Sequence, residues 1–163
     1  MKRLAIALLV LSSFAERSAC ASNAATANMG ATLVAAISVS TLNNLNFGFV
    51  VPGSTVGTVV MLPNFGAPRS ATGGAVLGNL GSASAGRFWV DGKAGSTYAI
   101  TLPGSITVSD GTNSMTVNTF TSFPASTGTV PGDLWVGATA QVGANQVFTA
   151  PFSGTFSVTV NYN

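Results

Sequence analysis

The last twelve residues alternate almost without fault: Phe152, Gly154, Phe156, Val158, Val160 and Tyr162 occupy one parity, and Ser153, Thr155, Ser157, Thr159, Asn161 and Asn163 the other. Successive side chains of a strand point to opposite faces, so this pattern predicts a strand with one buried face running to the end of the chain. A second such stretch lies near the start. From Ala25 the odd positions read Ala25, Ala27, Met29, Ala31, Leu33, Ala35, Ile37 and Val39, while the even ones are mostly small or polar. One long one-sided strand near each end of an all-β chain points to a subunit that pairs with its neighbours.

Between them, short Val/Ile/Thr/Phe runs are punctuated by Gly, Pro, Asn and Asp at the spacing of a β-sandwich. Strands are expected at Leu45–Val51, Thr55–Leu62, Ala75–Leu80, Arg87–Asp91, Ser96–Leu102, Ile106–Ser109, Ser114–Phe120, Leu134–Val142 and Phe152–Tyr162. Pro52-Gly53, Pro63-Asn64, Asp91-Gly92, Pro103-Gly104 and Asp110-Gly111 supply the turns. The Ser/Thr/Pro/Gly stretch from Thr121 to Gly132 reads as a loop. No helical period is sustained beyond the leader. The expected fold class is all-β, a single sandwich domain of a size that buries a core without staples.

The leader has the organisation of an export signal. Lys2 and Arg3 precede the apolar run Leu4–Leu11, which is too short to span a bilayer. Small-x-small cleavage sites follow at Ala19-Cys20-Ala21 and Ala25-Thr26-Ala27, and the first is preferred. Ser18-Ala19-Cys20 has the look of a lipobox end, but Arg17 stands where an apolar residue is expected. Either cleavage removes Cys20, so the mature chain has neither disulfide nor thiol. The expected destination is the extracellular cell surface, by way of the periplasm.

Cleavage also changes the charge. The formal +2 comes wholly from Lys2, Arg3 and Arg17 against Glu16. What remains is Arg69, Arg87 and Lys93 against Asp91, Asp110 and Asp133, a neutral set. The basic balance therefore belongs to the leader and does not indicate nucleic acid as a partner. A surface so poor in charge favours association.

The chain contains no His, and no Glu after residue 16, which excludes Ser–His–acid and Cys–His catalysis and the usual zinc and copper sites. A carboxylate pair would have to come from Asp91, Asp110 and Asp133, two of which precede Gly in turn contexts. No Asp-x-Asp spacing supports calcium, and Gly73-Gly74 has no following Lys to hold phosphate. No catalytic, cofactor-binding or metal-ligating residue is assigned, no cofactor is expected, and the chain reads as a non-enzyme. Trp89 and Trp135 both sit inside apolar runs and read as core residues; exposed, they would favour a sugar-binding surface. Arg87, Asp91 and Lys93 read as a solvated hairpin end.

Several segments together resemble a group of uncharacterised secreted bacterial β-domains. They are Leu45-Asn46-Phe47-Gly48 with Val51-Pro52-Gly53, Arg69-Ser70-Ala71-Thr72-Gly73-Gly74, and Tyr98-Ala99-Ile100-Thr101-Leu102-Pro103. Met115-Thr116-Val117-Asn118 with Phe120, Val136-Gly137-Ala138-Thr139, and the ending Gly154–Tyr162 complete the set. That group is similar in turn to the pilins of chaperone–usher fibres, especially the archaic, spore-coat-like branch.

The pilin resemblance implies an immunoglobulin-like sandwich that lacks its last strand. A periplasmic chaperone first lends a strand; the N-terminal extension of the next subunit then replaces it at an outer-membrane usher. On that scheme residues 1–21 are the signal peptide, 22–36 the donor extension and 37–163 the sandwich domain. The donor residues are Ala25, Ala27, Met29, Ala31 and Leu33. Phe152, Phe156, Val158, Val160 and Tyr162 form the strand that pairs with chaperone or neighbour. Only Met29 and Leu33 are large, so donor side chains contribute about 5–8 kcal/mol, with backbone pairing in addition. Many pilins carry a disulfide, and this chain departs from them there. The expected function is structural, as a fibre subunit whose partners are copies of itself. The alternatives are a self-complete sandwich that binds a glycan or other ligand, and a coat or matrix protein.

Overall fold

The computed structural model describes residues 24–66, 68–79 and 82–163. The expected signal peptide 1–21, with Lys2, Arg3 and Cys20, lies outside the described residues. The chain divides into two units, Met1–Thr32 and Leu33–Asn163. In the first unit, residues 24–32 carry no strand and their side chains are exposed. The second unit is all-β, and no helix occurs among its described residues.

Its strands are β1 (Ser38–Asn43), β2 (Val50–Val51), β3 (Gly57–Met61), β4 (Arg69–Gly73), β5 (Val76–Leu77), β6 (Gly86–Asp91), β7 (Thr97–Thr101), β8 (Ser105–Ser109), β9 (Ser114–Phe123), β10 (Thr127–Thr129), β11 (Gly132–Val142) and β12 (Thr159–Tyr162). All pairings are antiparallel.

β11 organises the larger sheet. Leu134, Val136, Ala138, Ala140 and Val142 are buried, and the alternate Asp133, Trp135, Thr139 and Gln141 point the other way. One edge of β11 pairs with β9. The other pairs first with β6, over Gly132–Val136, and then with β3, over Ala138–Val142. The handover falls at Gly137, where a Cβ would overlap the Met61 carbonyl oxygen as β3 leaves the sheet. β1 extends the sheet beyond β6, β4 beyond β3, and β8 beyond β9.

A second sheet, ordered β10-β7-β12, faces the first. Val90, Leu134 and Val136 of the large sheet meet Tyr98 and Val160 of the small one in the main core, with Val130 beside them. Gly128 of β10 lies directly opposite Tyr98, and any side chain there would collide with the Tyr98 ring. Val108, Val117, Ala138 and Ala140 form a second cluster, and Val59, Ala75 and Val142 a third. β2 and β5 pair separately.

β9 contains one residue more than β11 between their paired positions, because Gly137 faces Thr121 while Thr139 faces Asn118. This is a β-bulge, and Thr119 within it has φ of 49°. The bulge reverses the parity of the strand. Val117 points inward before it; after it Ser122 points inward and Phe123 outward. The buried Ser122 hydroxyl donates to the Ala125 carbonyl at 2.7 Å.

Several elements differ from those expected. The N-terminal strand expected from Ala25 begins only at Ser38, since residues 24–37 lack a ladder partner among the described residues and an unpaired extended segment gains nothing from strand geometry. β4 went unforeseen because Arg69–Gly73 is polar and mostly exposed; it is held by pairing with β3. The Arg69 guanidinium adds a clamp, donating to the carbonyls of Phe47, Phe49 and Gly78. The expected loop at 121–132 holds the end of β9 and all of β10. Of the strand expected at Phe152–Tyr162, only β12 and a single bridge from Ser153 to Ser109 are paired.

A β-branched residue in the left-handed region is strained, whereas Asn is tolerated there. Thr119 is exposed, so Thr119→Asn is expected to raise unfolding stability by about 0.5–1 kcal/mol, and Thr119→Val to give no gain. Urea denaturation of the two variants checks this.

Candidate functional site

The alternation of the C-terminal segment survives in its burial. Phe152, Phe156, Val158 and Tyr162 are half-buried and Val160 is buried, while Ser153, Thr155, Ser157, Thr159, Asn161 and Asn163 are exposed. Phe152 packs on the Val108 cluster, and Phe156 and Val158 on the main core. The Phe156 ring lies 6.1 Å from that of Phe88 on the facing sheet, edge to face, and 5.2 Å from Phe120. The side chains are thus anchored. The backbone is not: residues 154–157 make no backbone–backbone hydrogen bond among the described residues. β12 pairs on one side only, with β7, and its other edge has no partner among the described residues.

Among the described residues β1 is an edge strand of the facing sheet, as are β4 and β8. Ile37, just ahead of β1, packs in the main core with Val158, Val160 and Tyr162, and the Tyr162 hydroxyl reaches the Ala35 carbonyl, so the end of β12 lies beside the chain that leads into β1. Val39 lies directly opposite the fully buried Val90 and so points inward, yet it remains 38% exposed. An inward-facing valine so incompletely covered leaves the inner face of β1 partly open.

Tyr162 links β12 to the segment ahead of β1. Its hydroxyl accepts from the Lys93 backbone N–H at 2.6 Å and donates to the Ala35 carbonyl at 2.9 Å. The C-terminal strand is thereby tied to the chain just ahead of β1 and to the turn after β6. The five expected donor residues are not brought into any strand. Ala25, Ala27, Met29 and Ala31 belong to the first unit, Leu33 begins the second, and all five are exposed.

Asp110 anchors the approach to the segment. Its carboxylate accepts from the Asn113 side-chain amide, from the backbone N–H groups of Thr112 and Asn113 in its own turn, and from Thr149 N–H at 2.7 Å. These donors, the Asn113 amide foremost, hold its pKa far below the ordinary carboxylate range. Asp91 also serves its turn, accepting from Gly92 N–H. Arg87 does not belong to a solvated hairpin end with Asp91 and Lys93. It forms a bidentate pair with Asp133 at 2.8 and 2.9 Å, which raises the Arg87 pKa and lowers that of Asp133. No group of three His, Cys, Asp or Glu suited to a metal ion occurs among the described residues.

The two tryptophans are not in the core. Trp89 shares its parity with Arg87 and Asp91, and Trp135 shares its parity with Asp133; both project from the outer face of the large sheet. Trp89 is 39% exposed. Charged neighbours two residues away were the signal that could have placed them, and the apolar residues on either side obscured it.

Tyr162→Phe removes both hydrogen bonds of the hydroxyl and is expected to cost about 0.5–1.5 kcal/mol, with faster amide exchange at Lys93. The acid limb of stability provides a second check. A carboxylate whose folded pKa lies below its unfolded value contributes stability that is complete above the unfolded pKa, near 4, and is lost as the pH falls further. Urea midpoints of the unaltered chain should therefore fall between about pH 5 and pH 2, and Asp110→Asn should fall less steeply from a lower starting value at pH 7.

No curated protein matches the chain, and no solved structure does. Residues 37–162 match the family described as Domain of unknown function (DUF4402). That span runs from the residue before β1 to the last residue of β12, and so takes in every strand described above. The chain belongs to the DUF4402 family.

Proposed function

We propose that this chain is a structural subunit of an extracellular fibre, an immunoglobulin-like sandwich that lacks one strand and is completed by a strand from the next subunit. The observation that carries this reading is the outer edge of β12, without a partner among the described residues, together with the incompletely covered inward face of Val39. An extended segment with one buried face and one unpaired edge is a template for strand addition. A strand laid between β1 and β12 would satisfy backbone groups on both edges and cover Val39.

The donor is the segment 22–36 of a neighbouring copy, with Met29 and Leu33 as its large apolar residues. Residues 1–21 direct export through the periplasm, where a chaperone holds the open edges until an outer-membrane usher exchanges it for the next subunit. The near absence of charge on the mature chain suits a protein packed against its own copies.

A synthetic peptide of residues 22–36, added to the purified chain, is expected to raise its thermal midpoint. At a hundredfold excess over its dissociation constant the gain is about 2.7 kcal/mol. The same peptide carrying Met29→Asp and Leu33→Asp should give no shift. An equal shift from both peptides, or none from either at millimolar concentration, would overturn the reading.

A further inference from the structure

The outer face of the large sheet has a feature that strand exchange does not use. Four adjacent positions on β6 and β11 form a quadrilateral. Trp89 lies directly opposite Asp133, and Arg87 directly opposite Trp135. One diagonal is closed by the bidentate Arg87–Asp133 pair. The two tryptophans stand at the ends of the other diagonal, about 7–8 Å apart at the backbone. The Arg87 guanidinium also lies 5.1 Å from the Trp135 ring centroid.

Two phenylalanines extend the patch. Phe123 lies opposite Trp135 on the far side and is 64% exposed; the bulge at Thr119 turned it outward. Phe65, in the loop after β3, meets Trp135 edge to face at 6.2 Å although it is 86% exposed. Four aromatic side chains left on one outer face of a domain with so little charge call for a partner.

We propose that this face binds a neutral, hydroxyl-rich sugar chain, with Trp89 stacking on a sugar ring, Trp135 bracing the Arg87 guanidinium, and the Arg87–Asp133 pair hydrogen-bonding to the sugar hydroxyls. The chemistry of the patch selects that class. A pyranose ring presents an apolar C–H face to an aromatic plane, and its hydroxyls both donate and accept. The fixed pair offers both functions at once, because the guanidinium has N–H groups left over and the carboxylate has free lone pairs. Its charges cancel, so the site has no net charge with which to select an anionic or cationic ligand. The rotamers of Arg87 are restrained by Asp133 on one side and Trp135 on the other, so little ordering remains to be done on binding. This inference does not depend on strand exchange, since this face and the edges of β1 and β12 use different residues.

Trp89 and Trp135 are the chain's two tryptophans, so its indole fluorescence reports on this face alone. The probes are four neutral soluble polysaccharides (a β-glucan, an α-glucan, a mannan and a galactan), each tested against the full purified chain. At least one is expected to retard the chain in native affinity electrophoresis and to shield its tryptophan fluorescence from acrylamide. Trp89→Ala and Arg87→Lys should each weaken that retardation by about tenfold or more, with thermal midpoints close to the unaltered protein. Shielding is read on the unaltered chain and keeps the test valid if a variant misfolds.

Neither retardation nor shielding with any of the four would overturn the proposal. So would retardation unchanged in Trp89→Ala, or equal retardation by a sulfated polysaccharide, which would mark an ionic contact. A concentration-dependent dimer in sedimentation that Trp89→Ala abolishes would assign the face to a second copy of the chain instead.

Discussion

Backbone pairing along Gly132–Val142 is the constraint on which the rest of the domain depends. This one strand carries β9 on one edge and, in succession, β6 and β3 on the other, and its inward side chains reach all three buried clusters. Two partners can share one edge only because Gly137 lets β3 depart without a clash. A strand saturated on both edges moves the unsatisfied backbone outward, to the ends of the sheets. Those ends are β1, β4 and β8 in one sheet and β10 and β12 in the other, and the Tyr162 hydroxyl ties β12 to the chain just ahead of β1.

The same economy explains how a domain with so little charge is held together. Its few ionisable side chains are local fasteners. Arg69 collects three carbonyls, Asp110 fastens a hairpin turn to the loop that feeds the C-terminal segment, and Arg87 pairs with Asp133. The apolar core is built on fully buried side chains, among them Tyr98, Met61, Leu134, Val59, Val90 and Val136. Aromatic rings then divide by parity. Phe88, Phe120 and Phe156 join the two sheets from within, while Trp89, Trp135 and Phe123 remain outside.

Where the period of two was clean, the sequence was legible. The alternations of β11 and of the C-terminal segment, the turn roles of Asp91 and Asp110, and the absence of helix among the described residues all follow from residue pattern alone. What escaped were features decided by the backbone. The bulge at Thr119 changes which residues of β9 face the core, and no side chain near it announces the change. β10 was concealed in a loop-like composition because Gly128 serves there as a space for the Tyr98 ring. β4 is an edge strand stabilised by its partner and by Arg69, so its own residues carry no apolar pattern. The tryptophans read as core residues because the apolar residues on either side of them outweigh the charged residues that share their face.

The central claim is that a strand from a neighbouring copy pairs with the open edges of β1 and the C-terminal strand. The most direct test is an SDS gel of surface material sheared from native cells, probed for this chain with and without boiling. Strand exchange without disulfides predicts a ladder in the unheated lane that collapses to monomer on boiling. Monomer in both lanes would contradict the account.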